Sequence, residues 1–322
     1  MTATSPLASD GREPWIFRAA SPEDLLVGAH PAAIAGALDP GEELRYLLYS
    51  PVWDSRPAAV GAPRAELASH AVAVTSARFV ISRDLHHRGD PPQVWSVAFE
   101  SLLAVELGRS VLTGWLLLRF DDGRQFAELP VIFHATAGGH HFAAAVRAYR
   151  RASSPDGGPG PTAGSVSVWD DAWVDRPYGL KEIADDLLLP AEALRERVAT
   201  REVWRGAKRR AGTAASCDGT AGLLLLTDRG LLHVLRTEDG HRGPMDFGVA
   251  ATVLPLDGLD RVELGRDGST GTEGEFLRLV LARRETEWAL RVRLVDQPAA
   301  AAERFREALT HPHPPGTRRW SW

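Results

Sequence analysis

Short apolar stretches separated by polar turns dominate this chain, and they predict a mainly β protein. Seven such stretches precede an amphipathic helix at about residues 138–151, and seven more precede a second helix at about 298–309. The predicted strands are 44–53, 71–75, 79–83, 94–100, 103–107, 115–120 and 125–133, then 194–204, 222–226, 231–236, 250–255, 259–264, 276–282 and 288–294. Successive strands without helices between them indicate antiparallel sheets.

Sequence blocks recur in the same order 150 to 157 residues apart, which indicates an internal duplication. Pro40–Arg45 parallels Pro190–Arg195, and both blocks read Pro-x-Glu-x-Leu-Arg. An apolar run that ends in threonine follows each block, at Thr75 and Thr227. Val-Glu-Leu-Gly-Arg then occurs twice, letter for letter, beginning at Val105 and Val262.

The duplication divides the chain into five segments. Residues 152–167 are so rich in Gly, Pro and Ser that they predict a linker rather than a packed element. The predicted segments are a disordered N-terminus (1–19), a first domain with a short helical preamble (20–151), the linker (152–167), a second domain with its own preamble (168–311) and an aromatic, basic tail (312–322).

Each half resembles a bacterial pleckstrin-homology-like (PH-like) domain. The resemblance is carried by the Pro-x-Glu-x-Leu block, by the threonine motifs at residues 74–79 and 226–231, and by the step into Val-Glu-Leu-Gly-Arg. It implies two tandem domains, each a seven-stranded antiparallel orthogonal sandwich or partly open barrel that is capped by a C-terminal helix. It also implies a scaffold rather than a catalyst.

Composition and charge exclude several classes of protein. Lys and Arg number 37 against 42 Asp and Glu, and this net charge of −5 disfavours a nucleic-acid-binding surface. No apolar run is long enough to cross a bilayer, and no secretory signal is recognisable, so we expect a cytoplasmic protein. The single cysteine, Cys217, excludes an internal disulfide and a zinc site of the CxxC type.

One polar cluster contains residues of the types that bind metals. Asp84, His86, His87 and Asp90 lie within seven residues, and imidazole and carboxylate groups are common ligands of divalent ions. A metal-dependent hydrolase is therefore one alternative. A solvated hairpin loop explains the cluster better, because neighbouring residues on an extended strand point to opposite faces.

A basic segment between the first two strands of the second domain supplies the other alternative. In lipid-binding PH domains the equivalent loop holds an anionic headgroup, and here the candidates are Arg201, Arg205, Lys208, Arg209 and Arg210. Four or five charges at about 1 kcal/mol each give only weak, peripheral binding to an anionic membrane. A solvated basic loop is the simpler explanation.

Aromatic residues outside the predicted cores suggest docking to a protein or peptide. Trp169 and Trp173 follow the linker, and Trp320 and Trp322 end the sequence. Common sequence motifs of nucleophilic, nucleotide-dependent and zinc-dependent enzymes do not occur, so we expect no catalysis and no cofactor. The sequence predicts a non-enzymatic binding or scaffold protein whose partner is a protein, a peptide or a second copy of itself.

Overall fold

The structure is a computed structural model whose described residues form two β-sheets and four α-helices. It describes residues 15–25, 27–52, 68–85, 90–110, 113–153, 180–190, 192, 194–207, 216–217, 222–238, 247–267, 274–294 and 299–310. The predicted mainly β class is confirmed.

The strands and helices have the following bounds. The first eight strands are β1 (Phe17–Ala19), β2 (Leu44–Ser50), β3 (Ser69–Thr75), β4 (Arg78–Asp84), β5 (Gln93–Ala98), β6 (Leu102–Arg109), β7 (Thr113–Asp121) and β8 (Phe126–His134). The next eight are β9 (Leu194–Ala207), β10 (Ser216–Cys217), β11 (Gly222–Thr227), β12 (Leu231–Glu238), β13 (Phe247–Leu254), β14 (Leu259–Asp267), β15 (Gly274–Arg283) and β16 (Thr286–Leu294). The helices are α1 (His30–Ala37), α2 (Ala135–Ala152), α3 (Leu180–Leu187) and α4 (Ala299–Thr310).

The strand order differs between the two sheets. The smaller sheet has the sequential order β1-β2-β3-β4-β5. The larger sheet has the order β14-β15-β16-β9-β11-β12-β13-β6-β7-β8, and the short β10 pairs with β9. Both orders begin and end at different strands, so each described sheet is open and has two edges.

Two compact units make up the chain. Unit one comprises residues 1–99, 109–116 and 130–157, and unit two comprises residues 100–108, 117–129 and 158–322. Unit two therefore contains most of β6 together with all of β9 to β16. The predicted linker falls almost wholly outside the described residues, so the predicted domain boundaries stay predictions.

Unit one packs a helix on each face of the five-stranded sheet. Helix α1 contacts β3, β4 and β5, whereas α2 contacts β2 and β3. Under α1 lies a cluster of fully buried side chains that includes Ile34, Leu47 and Val80. On the other face, Tyr149 of α2 packs against Phe79 with the rings tilted and their centroids 5.4 Å apart. In unit two, α3 packs on β12 and β13, and α4 packs on β9 and β14.

The N-terminal part of the fold differs from the predicted one in one respect. Residues 17–19, which the sequence assigns to a disordered terminus, form β1 and pair with β2. Helix α1 lies in the predicted helical preamble and carries Pro31 in its first turn, where a proline without an N–H is tolerated. None of the described helices is long and apolar enough to cross a bilayer.

A carboxylate–hydroxyl contact joins the start of β2 to the β3–β4 hairpin. The Thr75 hydroxyl donates to Glu42 Oε1 at 2.6 Å and accepts the backbone N–H groups of Ala77 and Arg78 at 3.1 and 3.0 Å. The other carboxylate oxygen of Glu42 accepts the backbone N–H of Asp39 at 3.1 Å. We call this arrangement of Glu42 and Thr75 the Glu–Thr latch.

The second half of the chain contains the same latch. Thr227 donates to Glu192 Oε1 and accepts the backbone N–H of Arg229 at 3.2 Å. Glu192 Oε2 accepts the backbone N–H of Leu189 at 2.7 Å, just as Glu42 accepts that of Asp39. The two recurring sequence motifs thus supply the two ends of one hydrogen bond in each half.

The Glu42 carboxylate accepts hydrogen bonds and also forms an ion pair with Arg78. The Nε of Arg78 donates to Glu42 Oε1 at 2.9 Å, and its Nη1 donates to Ser96 of β5 at 3.0 Å. Burial alone would raise the pKa of Glu42, but hydrogen bonds from Arg78, Thr75 and the Asp39 backbone lower it to about 2. The ionised carboxylate therefore stabilises the hairpin that supports β5.

Replacing Glu42 by glutamine tests this contribution. Glutamine resembles the protonated carboxyl group, so E42Q should lower the free energy of unfolding at about pH 7 by up to about 3 kcal/mol, which is the pKa shift converted to energy. Because the folded-state pKa lies below the ordinary value of 4.5, the wild-type advantage is complete above pH 4.5 and declines as the pH falls toward 2.

Urea unfolding curves of both proteins at several pH values measure this difference. The control is E43Q, since the neighbouring Glu43 side chain is mostly exposed and its ion pair with Arg45 is exposed as well. A wild-type advantage that does not change with pH would contradict the assignment.

Candidate functional site

Strand β13 is paired on both sides, and one of its partners comes from the first half of the sequence. It lies between β12 and β6 in the strand order, and residues 102–108 of β6 belong to unit two with β13. All seven of these β6 residues are buried. One side of β13, a strand of the second half, is thus paired with β6, a strand of the first half.

A buried ionic cluster lies beside this strand pair. Arg119 of β7 donates from Nη1 to Glu106 of β6 and from Nε to Glu128 of β8, each at 2.8 Å. Glu106 Oε2 also lies 3.5 Å from the Thr252 hydroxyl of β13, and the Arg119 guanidinium lies 5.5 Å from the Trp288 ring centroid. Burial alone would lower the pKa of Arg119, but the two carboxylates raise it. The cluster therefore holds a charged arginine beside the β6–β13 pair.

Strands β5 and β14 occupy the same places in the repeat as β13 and β6, yet each lies at an edge. A 3-10 turn follows β5 at Phe99–Ser101, and another follows β13 at Leu256–Gly258, 157 residues later. The following strands, β6 and β14, begin at Leu102 and Leu259, again 157 residues apart. In the described sheets β5 pairs with β4 alone and β14 with β15 alone.

The unpaired strands expose apolar side chains that the paired strands bury. Val94 of β5 is 40% exposed, whereas Ala251, its equivalent in β13, is fully buried. Leu264 of β14 is 37% exposed, whereas Leu107, the same leucine in the other copy of Val-Glu-Leu-Gly-Arg, is 5% exposed. Among the described residues, only one other large apolar side chain, Trp15, is exposed.

The backbone of β5 also presents hydrogen-bonding groups to its open side. Phe99 N–H donates to the Ala77 carbonyl at 2.9 Å, which makes the facing Arg78–Ala98 pair a non-hydrogen-bonded pair of the β4–β5 ladder. Alternation along the ladder then directs the N–H and C=O groups of Val94 and Ser96 away from β4. β5 is therefore a strand with an available backbone edge.

The other three edges of the described sheets carry features that limit unselective strand addition. β1 has only three residues. β8 contains Pro130, which has no N–H to donate to a ladder. β14 carries five charged residues, and Arg261 among them pairs with Asp260, Glu263 and Glu287. β5, with the sequence QVWSVA, has neither a charge nor a proline.

The predicted metal cluster is only partly described. Asp84 ends β4 and Asp90 precedes β5, whereas His86 and His87 lie outside the described residues. Among the residues that are described, no group of three or more His, Cys, Asp or Glu side chains could hold a metal ion. Nearby, burial lowers the pKa of His70 to about 3, with smaller contributions from Arg83 and His30, so His70 is neutral at physiological pH.

The other predicted site residues lie where their side chains are not described. Arg201 and Arg205 are on β9, but only their backbone is described. Lys208, Arg209, Arg210, Trp169, Trp173, Trp320 and Trp322 are outside the described residues. The predictions of an anionic-ligand loop and of tryptophan docking segments therefore stay predictions.

Sequence reasoning missed Val94 and Leu264. Both were assigned to strands or strand-like segments, but hydrophobic patterns do not reveal which strand of a sheet lies at an edge. The uncharged run Gln93–Ala98, which follows two prolines, was the available signal for an unprotected edge.

No protein-family model matches this chain, and no curated protein sequence matches it.

Substitution of Arg119 tests whether the ionic cluster supports unit two. R119M leaves the Glu106 carboxylate buried without its cation, and we expect a loss of about 3 kcal/mol in the free energy of unfolding. E128Q is the matched control, because Glu128 is half exposed and its pair with Arg119 should contribute less than about 1 kcal/mol. The double variant R119M/E106L should recover most of the loss. Equal losses for R119M and E128Q in urea unfolding would contradict this account.

Proposed function

We propose that this protein is a non-enzymatic binding or scaffold protein that recognises an extended segment of a partner by adding it to β5 as a further strand. The two halves are PH-like domains in tandem, and the acceptor edge belongs to the first of them. The partner is a protein or peptide.

Two repeated features support the tandem arrangement of two similar halves. In both halves a strand (β5 or β13) leads through a short 3-10 turn to the strand with the Val-Glu-Leu-Gly-Arg motif, and a helix follows two strands later. The Glu–Thr latch recurs as well, with the same donors and acceptors around Thr75 and Thr227. Shared hydrogen bonds at shared places in the sequence are a stronger sign of duplication than shared letters.

The observation that carries the binding proposal is the state of β5. It is the one edge of the described sheets that is longer than three residues and free of both charge and proline. Natural edge strands normally carry such protection, because an unprotected edge pairs with other strands. An unprotected edge on a surface strand is therefore explained by a partner that covers it.

Strand addition also defines the kind of partner. Backbone hydrogen bonds to Val94 and Ser96 would supply affinity without regard to sequence, and alternate side chains of the added strand would supply specificity. Val94, on the face toward α1, offers an apolar contact for one of those side chains. We therefore expect an extended segment with an apolar residue opposite Val94.

Selection of displayed extended peptides of random sequence against the immobilised full chain tests the proposal. The wild-type protein should enrich peptides, and V94P should lose them, because proline removes an N–H that points to the open side. V94P should still fold, since proline is tolerated where the N–H faces solvent. V94A is the control: it keeps the N–H and should keep most of the binding.

Hydrogen exchange locates the bound peptide independently. A selected peptide should slow exchange at the Val94 and Ser96 amides and leave the β14 amides unchanged. Peptides that bind V94P as tightly as the wild type would refute the β5 site.

A further inference from the structure

We propose that the strand added to β5 is β14 of a second copy of this chain, so that the protein associates head to tail. This inference rests on the proposed function, because it names the partner of the β5 edge. In the β6–β13 pair, the chain already joins β6 of its first half to β13 of its second half.

The sequences of the two donor strands are the first argument. β6, which covers β13, contains Val-Glu-Leu-Gly-Arg, and β14 contains the same five residues at the same place in the repeat. A strand with these residues is therefore able to pair with a strand of the β13 type. β5 is the equivalent of β13, and within the described sheets β5 and β14 each have one free side.

The pattern of burial is the second argument. Association in the same manner would cover Val94 and Leu264, as the internal pair covers Ala251 and Leu107. Two of the three exposed large apolar side chains of the described chain thus lie on the two strands that the proposal joins. Leu264 is the exposed leucine of the repeated motif. A strand of the β6 type that lacks its β13-type partner would leave this leucine in contact with water.

The charge on β14 is compatible with this pairing. Arg278 Nη1 donates to Glu263 at 2.7 Å, just as Arg119 Nη1 donates to Glu106 at 2.8 Å. Hydrogen bonding from Arg278 lowers the pKa of Glu263, so this carboxylate is ionised and already paired. Covering β14 would then bury a satisfied ion pair rather than a lone charge. The uncharged β5 adds no like-charge repulsion.

A heterologous contact of this kind has a distinctive consequence. Each molecule has one β5 edge and one β14 edge, so every association leaves one of each unoccupied. The assembly grows until it closes into a ring or continues as a filament. A pair formed by β5 with β5 would instead stop at a dimer.

Light scattering after size-exclusion chromatography of the full chain, up to about millimolar concentration, measures the association. The wild-type mass should rise with concentration beyond that of a dimer. V94P blocks β5, and L264K places a charge where the internal pair has a buried leucine. Because association of each variant alone should be weakened by about tenfold or more, each should remain monomeric at concentrations where the wild type associates.

Mixing the two blocked variants is the decisive measurement. V94P retains a functional β14 and L264K retains a functional β5, so an equimolar mixture should form a dimer that cannot grow. W15K is the matched control, because it removes the third exposed apolar side chain from a position outside both strands, and its association should equal that of the wild type.

Several results would overturn the proposal. A wild-type chain that stays monomeric at every concentration refutes self-association, while enriched peptides would leave the β5 site itself standing. Loss of association in V94P but not in L264K indicates β5–β5 pairing instead. A mixture that stays monomeric rules out the β5–β14 contact.

Discussion

The pairing of backbone hydrogen-bonding groups at strand edges governs the architecture of this protein. Each strand has two rows of N–H and C=O groups, and a row that meets no other strand must face water or a partner. β13 meets β6, and the larger sheet extends through that contact into β7 and β8. Residues 102–108 of β6 are buried beside this strand pair, and so is the Glu106 side chain. The equivalent row on β5 is met by nothing within the described sheets.

The repeated Val-Glu-Leu-Gly-Arg motif places the same residues in two different environments. Glu106 and Glu263 occupy the same position in a repeated motif, and each accepts a hydrogen bond from an arginine on the next strand. Arg119 is almost fully buried, whereas Arg278 is partly exposed. Burying one such pair is costly unless its remaining hydrogen-bonding positions are filled, and Glu128 and Thr252 lie where they can fill them. The Glu106–Arg119 pair therefore has the same arrangement as the Glu263–Arg278 pair of the β14 edge, with two further polar partners.

Sequence patterns were sufficient for the mainly β fold class, because it depends on local periodicity. The Glu–Thr latch could not be predicted from such patterns. Glu42 and Thr75 are 33 residues apart, and each was recognised as part of a recurring block without any indication that the two side chains meet. The exposure of Leu264 could not be predicted either. Leu107 has the same four neighbours in its motif and is buried, so the difference arises from which strand lies alongside, a property of topology rather than of local sequence.

The number of open strand edges follows from the number of copies of the sequence repeat in the chain. A chain with one copy of the repeat has one β5-type edge and one β14-type edge, and joining two copies through a single internal pair consumes one of each. Two copies in tandem therefore retain one of each, and a longer array linked in the same way would do so too. Adding a copy in this way would lengthen the chain without changing its number of open strand edges. Since the two remaining edges differ in sequence and charge, the chain has a direction, and self-association that uses both edges preserves that direction from one molecule to the next.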